Sequence, residues 1–175
     1  MPCKGGYRKS IEESIRRQEE DRQYKASPPW KYWLSLTDRV HKTPEGFSGL
    51  SSQEQKFFAL RVLVGEVYNG GFHQYFSNSS GDYYTRTVEA LAEIEATESL
   101  RILLLAKEAL FGGNAVPATQ AERFSVFPEM PDEDDPSPEW WNRLEALDNE
   151  FWKDPDKIDD RIEKYANDNA LRKDF

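Results

Sequence analysis

The sequence predicts an all-α protein, organised as a compact multi-helix bundle. Apolar residues recur at spacings of three and four along most of the chain, which is the period of an amphipathic helix. Glycine, proline and short polar clusters interrupt that period, and such residues mark the ends of helices. At 175 residues the chain is long enough to bury one hydrophobic core.

Residues 1–26 are predicted to form a charged N-terminal helical arm. Tyr7, Ile11 and Ile15 make a narrow apolar stripe at a spacing of four, and the intervening residues are strongly charged. Two interpretations stay open: a helix that lies on the body or on a second subunit, or a solvated arm that frays. The breaker Ser27-Pro28-Pro29 then separates the arm from residues 27–175, which are predicted to be a single all-helical domain.

The first two helices of that domain lead to its most distinctive stretch. A helix is predicted from Trp30 to His41, and its aromatic cluster is interpreted as core filling. Ser51 with Glu54 then matches a capping box at the start of a longer helix. The apolar face of the longer helix consists of Phe57, Leu60, Val64 and Val67.

The longer helix is predicted to end in a corner at Asn69-Gly70-Gly71, because Asn and Gly tolerate the left-handed backbone of helix ends. Phe72, Tyr75 and Phe76 resume helical spacing after it. Glu66 lies in the last apolar turn, so its carboxylate needs polar partners. We expect those partners to be the Asn69 amide, the His73 ring or the backbone N–H groups of the new helix.

Two interpretations of the corner follow. In the first, its polar side chains form a clamp that fixes the turn. In the second, Glu66 and His73 form an acid–base pair or hold a metal, Asn69 and Gln74 orient a ligand, and Trp30 and Trp33 form the pocket wall. Two histidines and one cysteine without metal-motif spacing give no support to a metal, and no cofactor is expected. The corner residues are Glu66, Asn69, Gly70, Gly71, Phe72, His73 and Gln74.

Helix boundaries are also predicted beyond the corner. Asp82 is expected to cap a helix that runs through Ile94, and Thr97 to break the chain and cap the next helix, which ends at Phe111-Gly112-Gly113. A short helix is predicted at 119–124. In the C-terminal segment two acidic helices are expected, each starting with a capping residue and a proline at the first helical position: Ser137-Pro138 and Asp154-Pro155.

The charge is distributed unevenly along the chain. There are 32 acidic and 23 basic residues, a formal charge of −9. Residues 1–128 hold 16 of each, whereas residues 129–175 hold 16 acids and 7 bases, so the entire net charge belongs to the last 47 residues. Such a surface disfavours direct binding of nucleic acid or of an anionic membrane and favours a basic protein partner.

The remaining sequence features indicate the cellular compartment. The longest strongly apolar run is too short to span a bilayer, and the N-terminus lacks the apolar core of a signal peptide. Cys3 is the single cysteine, which fits a reducing environment. We therefore expect a cytoplasmic protein.

The corner also carries a family resemblance. Glu66, Asn69-Gly70-Gly71-Phe72, Gln74-Tyr75-Phe76 and Asn78, followed by an acidic-apolar helix from Tyr83, resemble the signature of the bacterial DNA-mimic protein family. The resemblance covers residues 50–127, the family core, and leaves 128–175 as an acidic C-terminal segment. Most members are domains of unknown function, and at least one is described as an acidic, all-helical dimer that mimics duplex DNA and binds a transcription factor. The resemblance implies a non-enzymatic protein, a homodimer and a DNA-binding protein as partner.

Acids of the C-terminal segment are the residues that would stand in for DNA phosphates. Carboxylates four apart on a helix are separated by about 6 Å along its axis, so a row of them is a rigid line of negative charge. The expected partner-binding acids are Asp132, Glu133, Asp134, Asp135, Glu145, Asp148, Asp156, Asp159, Asp160 and Glu163. The alternatives are an enzyme or ligand-binding protein built on the corner, and an immunity or antitoxin-like partner of a basic protein.

Overall fold

The structure, a computed structural model, describes residues 4–130 and 136–175. These residues contain eight α-helices and two 3-10 turns and no β-strand, which confirms the all-α fold. They divide into two units: residues 4–50 with 172–175, and residues 51–171. None of the helices in the described ranges has the length and apolar character needed to cross a bilayer.

The first unit contains two helices and a 3-10 turn: α1 (Lys4–Ala26), α2 (Pro28–Lys42) and Gly46–Gly49. The predicted break between the helices is confirmed, because the Ser27 hydroxyl accepts the Trp30 N–H and Pro28 occupies the first helical position. Ile15 of the predicted stripe is 61% exposed. The arm boundary at residue 26 falls at the junction of α1 and α2, and the division into an arm and a single domain stays a prediction.

The second unit is a bundle built around its first helix. α3 packs against α4, α6, α7 and α8, and Phe76 near its end contacts Phe111 of α5, with ring centroids 5.4 Å apart. It is buried on most sides, from Phe57 to Phe76, because its apolar residues are too numerous for a single face. The helices are α3 (Ser52–Ser77), α4 (Tyr84–Glu93), α5 (Thr97–Phe111), α6 (Gln120–Val126), α7 (Glu139–Phe151) and α8 (Ile158–Asp168).

Several helix ends follow the sequence prediction. The capping box that starts α3 is present, with Ser51 Oγ accepting the Glu54 N–H at 3.3 Å and Glu54 Oε2 accepting the Ser51 N–H at 2.8 Å. Gly112, with φ of 57°, caps the C-terminus of α5. The predicted short helix is α6, and Thr119 caps it.

Four predicted helix starts are wrong in position. Thr97 is the first residue of α5 instead of its cap, and the N-cap is Ala96. Asp82 does not cap α4, because a 3-10 turn (Ser79–Tyr83) precedes that helix and the Asp82 carboxylate binds Arg123 at 2.7 Å. α7 begins one residue later than predicted, with Pro138 as its N-cap. α8 begins at Ile158 rather than next to Pro155, and its N-cap is Lys157, although the Asp154 carboxylate accepts the Ile158 N–H at 2.7 Å.

Arg123 of α6 is the largest fully buried side chain among the described residues. Its guanidinium donates to the carbonyl oxygens of Phe76 and Asn78 at 2.7 and 2.8 Å, where α3 ends. It also donates to the carbonyls of Pro117 and Ala118. Within the described residues the Phe76 carbonyl accepts only from Arg123, whereas the Asn78 carbonyl also accepts the Gly81 N–H at 3.2 Å. This buried cation thus satisfies the end of α3 and the loop before α6 together.

We expect Arg123→Met to lower the free energy of unfolding by about 2–4 kcal/mol. Methionine is similarly long but leaves the Phe76 carbonyl without its donor and removes one of the two donors to the Asn78 carbonyl, and an unsatisfied buried acceptor costs about 1–3 kcal/mol. Chemical denaturation measures the change. The control is Arg143→Met at an exposed position of α7, which should stay within about 0.5 kcal/mol of the parent. Equal stability of the two variants would contradict the role of Arg123.

Candidate functional site

The predicted corner is confirmed, and it lies inside α3. The backbone leaves helical geometry at Gly70 (φ −157°, ψ 25°) and Gly71 (φ 72°, ψ −175°). The Gly71 conformation belongs to a region that is essentially open only to glycine. Space imposes the same restriction, because a Cβ at Gly71 would lie 2.2 Å from Asp148 Oδ2.

The helix that restarts after the corner is capped from a distant segment. Phe72 N–H, which has no helical acceptor, donates to Asp148 Oδ1 of α7 at 2.7 Å. The expectation that these N–H groups would meet Glu66 is therefore wrong at Phe72. Asp148 is half-buried, and burial raises the pKa of its carboxyl, with a smaller upward contribution from Glu145 and an opposing one from the Phe72 bond.

Glu66 is the centre of a separate amide network. Its Oε2 accepts from Gln74 Nε2 at 2.7 Å and from Asn78 Nδ2 at 2.9 Å, and Asn69 Nδ2 donates to Gln74 Oε1 at 3.2 Å. This arrangement fits the clamp interpretation, because one carboxylate joins both sides of the corner.

His73 has a different environment from Glu66. Its ring lies between the rings of Phe127 and Trp141, with centroids 5.6 Å from each. Burial lowers the pKa of His73 and thereby favours the neutral imidazole. The structure therefore does not bring Glu66 and His73 together as an acid–base pair.

A cleft of about 370 Å³ lies between the corner and α7. We call it the tryptophan cleft, because two indole rings line it. Trp152 is fixed by donating its Nε1–H to the Val67 carbonyl at 2.9 Å, and Trp141 packs against Trp140 and His73. The lining residues are Asn69, Gly70, Gly71, His73, Trp141, Leu144, Glu145, Asp148, Asn149 and Trp152.

The tryptophan cleft differs from the pocket that the ligand interpretation assumed. Trp30 and Trp33, expected in its wall, belong to the first unit, and α7 supplies the aromatic lining. Glu66 and Gln74 bind each other instead of lining it. Sequence reasoning missed Trp141 and Trp152, although they directly follow Trp140 and Phe151, the two ends of an apolar stripe at helical spacing.

The predicted partner-binding acids fall into distinct environments. Asp132, Glu133, Asp134 and Asp135 lie outside the described residues. Asp148 and Asp156 hold helix starts: Asp156 Oδ2 accepts the Ser99 N–H at 2.6 Å, in the first turn of α5. Asp159 pairs with Arg61 at 2.8 Å.

The other three predicted acids are Glu145, Asp160 and Glu163. Glu145 and Asp160 are exposed, whereas Glu163 is half-buried. The acids of α7 and α8 therefore do not form one uniform row. The local sequence pattern could not distinguish the acids that hold helix starts from the exposed acids. Asp148 and Asp156 bind backbone N–H groups that lie 76 and 57 residues away along the chain.

We expect Gly71→Ala to destabilise the protein by about 2 kcal/mol or more. Alanine must adopt a backbone conformation that costs about 1–3 kcal/mol and displaces the Asp148 carboxylate. The matched control is Gly65→Ala, also in α3, where nothing lies within 4 Å of the added Cβ. That substitution should stabilise by about 0.5–1 kcal/mol, because alanine is the better helix former. Denaturant unfolding of both variants measures the two effects, and a loss of the same size in both would contradict this account of the corner.

The environment of His73 predicts a pH dependence of stability. Because its pKa is lowered in the folded protein, the unfolded chain binds a proton more readily, so stability is lost as pH falls below about 6.5, the ordinary histidine value. We expect His73→Phe, which keeps a ring between Phe127 and Trp141, to reduce this loss. His41→Phe, at the only other histidine, should preserve it. The measurement is the unfolding free energy between pH 7.5 and 5, and an unchanged slope in His73→Phe would refute the prediction.

Comparison with known proteins gives one match. No curated protein and no solved structure matches the chain. The sequence model of the family described as DMP19-like protein matches residues 48–169, which include the corner, the tryptophan cleft and most of the acidic segment. This range covers more than half of the chain, and the protein belongs to the DMP19-like protein family.

Proposed function

We propose that this protein is a non-enzymatic DNA mimic. In this proposal its acidic C-terminal segment occupies the DNA-contacting surface of a basic DNA-binding protein, such as a transcription regulator, and competes with duplex DNA. The observation that carries the proposal is the segregation of the whole net charge of −9 into residues 129–175, in a chain of the DMP19-like family.

The position of Arg161, a basic residue of α8, supports a negatively charged outer surface. Arg161 lies among the acids of α8, where it would be expected to dilute their charge. Arg161 is half-buried, and its guanidinium donates to the carbonyls of Asp156 and Ile94, at 2.8 Å each. Its contribution to the outer surface is thereby reduced, whereas Asp160 next to it is exposed.

The structure also narrows the set of acids that we propose to face the partner. Asp156 and Asp159 have protein partners and help to hold α3, α5 and α8 in place, whereas Asp148 uses one carboxylate oxygen to hold the restart of α3 and keeps the other for a partner. We assign direct contact to the acidic run 132–135 together with Glu145 and Asp160, which are exposed. Contacts between exposed charges are screened by salt, so binding should weaken steeply as ionic strength rises.

We expect the immobilised protein to capture one basic DNA-binding protein from a host lysate at low salt. A salt gradient should release it, duplex DNA should displace it, and mass spectrometry identifies it. Capture of a basic toxin that duplex DNA fails to displace would favour the antitoxin-like alternative. Absence of any partner that is both salt-released and DNA-displaced would overturn the mimic.

A charge-matched pair of variants tests which acids carry the binding. The first converts five acids of the segment to amides: Asp132, Glu133, Asp134, Asp135 and Asp160. The control converts five exposed acids of the first unit: Glu19, Glu20, Asp21, Asp38 and Glu45. Both variants change the net charge by five. The first should weaken binding of the captured protein by about tenfold or more, which is about 1.4 kcal/mol, and the control much less. Equal losses would mean that only total charge matters.

The homodimer and the cytoplasmic location stay proposals. Light scattering at the concentration of the binding assay tests the homodimer, because a dimer doubles the mass of 20.3 kDa.

An enzyme built on Glu66 is not proposed, since that carboxylate is engaged by Gln74 and Asn78.

A further inference from the structure

We propose that the tryptophan cleft binds a guanidinium group, supplied by an arginine side chain of the basic partner. The source of the arginine rests on the proposed function, whereas the chemistry of the cleft can be tested without any partner. The argument has three steps: the sign of the charge in the cleft, the state of its carboxylates, and the geometry of its aromatic rings.

The charge of the lining favours a cation. Among the residues that line the tryptophan cleft, Glu145 and Asp148 are acidic and none is lysine or arginine. The imidazole of His73, which also lines the cleft, does not offset these two negative charges, because its burial favours the neutral form. A phosphate or carboxylate ligand would meet two negative groups without a positive one, so nucleotides and organic acids are excluded on electrostatic grounds.

Asp148 has spare capacity to accept hydrogen bonds. Oδ1 accepts the Phe72 N–H, and within the described part of the chain this is the only hydrogen bond of the carboxylate. The other oxygen lies beside Gly71, whose lack of a side chain lets the carboxylate approach the corner closely. A half-buried carboxylate that is partly desolvated, with Glu145 one turn away, is stabilised when a cation binds next to it.

The two indole rings favour guanidinium over ammonium. Trp152 is 46% exposed, and its N–H is already committed to the Val67 carbonyl, so the ring is fixed in place. Tryptophan is the strongest aromatic partner for a cation. A guanidinium is planar, stacks on aromatic faces and donates in a fork that matches a carboxylate, whereas an ammonium is a compact and more strongly hydrated charge.

The size of the cleft fits one side chain. Its volume of about 370 Å³ is at the lower end of the range of ~300–1,000 Å³ that is typical of ligand sites. The amides of Asn69 and Asn149 offer additional carbonyl oxygens at the rim. An arginine that inserts into a pocket is typical of the few interface residues that dominate protein binding.

The test uses N-acetylarginine methylamide as the probe and the indole N–H resonances of the protein as the readout. Its neutral isostere N-acetylcitrulline methylamide, at matched ionic strength, is the control, and N-acetyllysine methylamide, with its ε-ammonium group free, tests the preference for guanidinium. We expect saturable shifts of the Trp141 and Trp152 signals with the arginine compound in the millimolar range. The lysine compound should bind several-fold more weakly, and the citrulline compound should cause no saturable shift. Equal effects of arginine and citrulline, equal binding of arginine and lysine, or no saturation would each overturn the proposal.

Variants locate the site. Asp148→Asn keeps an oxygen for the Phe72 N–H but removes the charge, and it should weaken arginine binding by about tenfold. Glu145→Gln, at an exposed position, should weaken it several-fold, and it keeps the test valid if Asp148→Asn fails to fold. The control is Glu139→Gln, an exposed acid of the same helix that does not line the cleft. Equal affinity of Glu145→Gln and Glu139→Gln for the probe would overturn the proposal.

The partner assay separates this proposal from the proposed function. If the probe binds the cleft but no DNA-binding protein is captured, the mimic fails and the guanidinium site stands. If a DNA-binding protein is captured and Glu145→Gln with Asp148→Asn leaves its affinity unchanged, the mimic stands and the arginine anchor fails. We expect the double variant to weaken capture about tenfold relative to Glu139→Gln.

Discussion

The structure of the second unit depends on one contact across the corner of α3. Gly71 adopts a backbone conformation that only glycine accepts, and the carboxylate of Asp148 occupies the space where a side chain would lie. The bond from Phe72 N–H to the same carboxylate starts the second part of α3 and joins it to α7. The turn, the packing of α7 and the tryptophan cleft therefore share one constraint, and none of them can change alone.

Much of the fold could be predicted from residues because it is encoded locally. The capping box at Ser51, the corner at Gly70 and Gly71, and the glycine end of α5 each depend on neighbours within a few residues. The missed features are contacts between distant segments. Asp82 does not occupy its predicted cap position because its carboxylate binds the buried guanidinium of Arg123. The local sequence pattern gave no indication of that contact.

The candidate site, too, was predicted only where its residues are close together in the sequence. The corner residues were found from sequence, but the side chains that complete the tryptophan cleft come from α7, about 70–80 residues later. The acids of the C-terminal segment looked equivalent as a row of charges, whereas the structure gives Asp148 and Asp156 capping bonds and leaves Asp160 exposed. Charge along a sequence indicates the kind of partner, and tertiary contacts decide which charges are available to it.

The guanidinium of Arg123 has a consequence for how the protein opens. It joins the end of α3, the 3-10 turn before α4 and the loop before α6 through carbonyls of Phe76, Asn78, Pro117 and Ala118 and the carboxylate of Asp82. Breaking any one of these segments away leaves a charged group in an apolar surrounding, so the three should come apart in a single step. Amide hydrogen exchange in these segments would then report one shared opening free energy, which makes this part of the bundle a single cooperative unit.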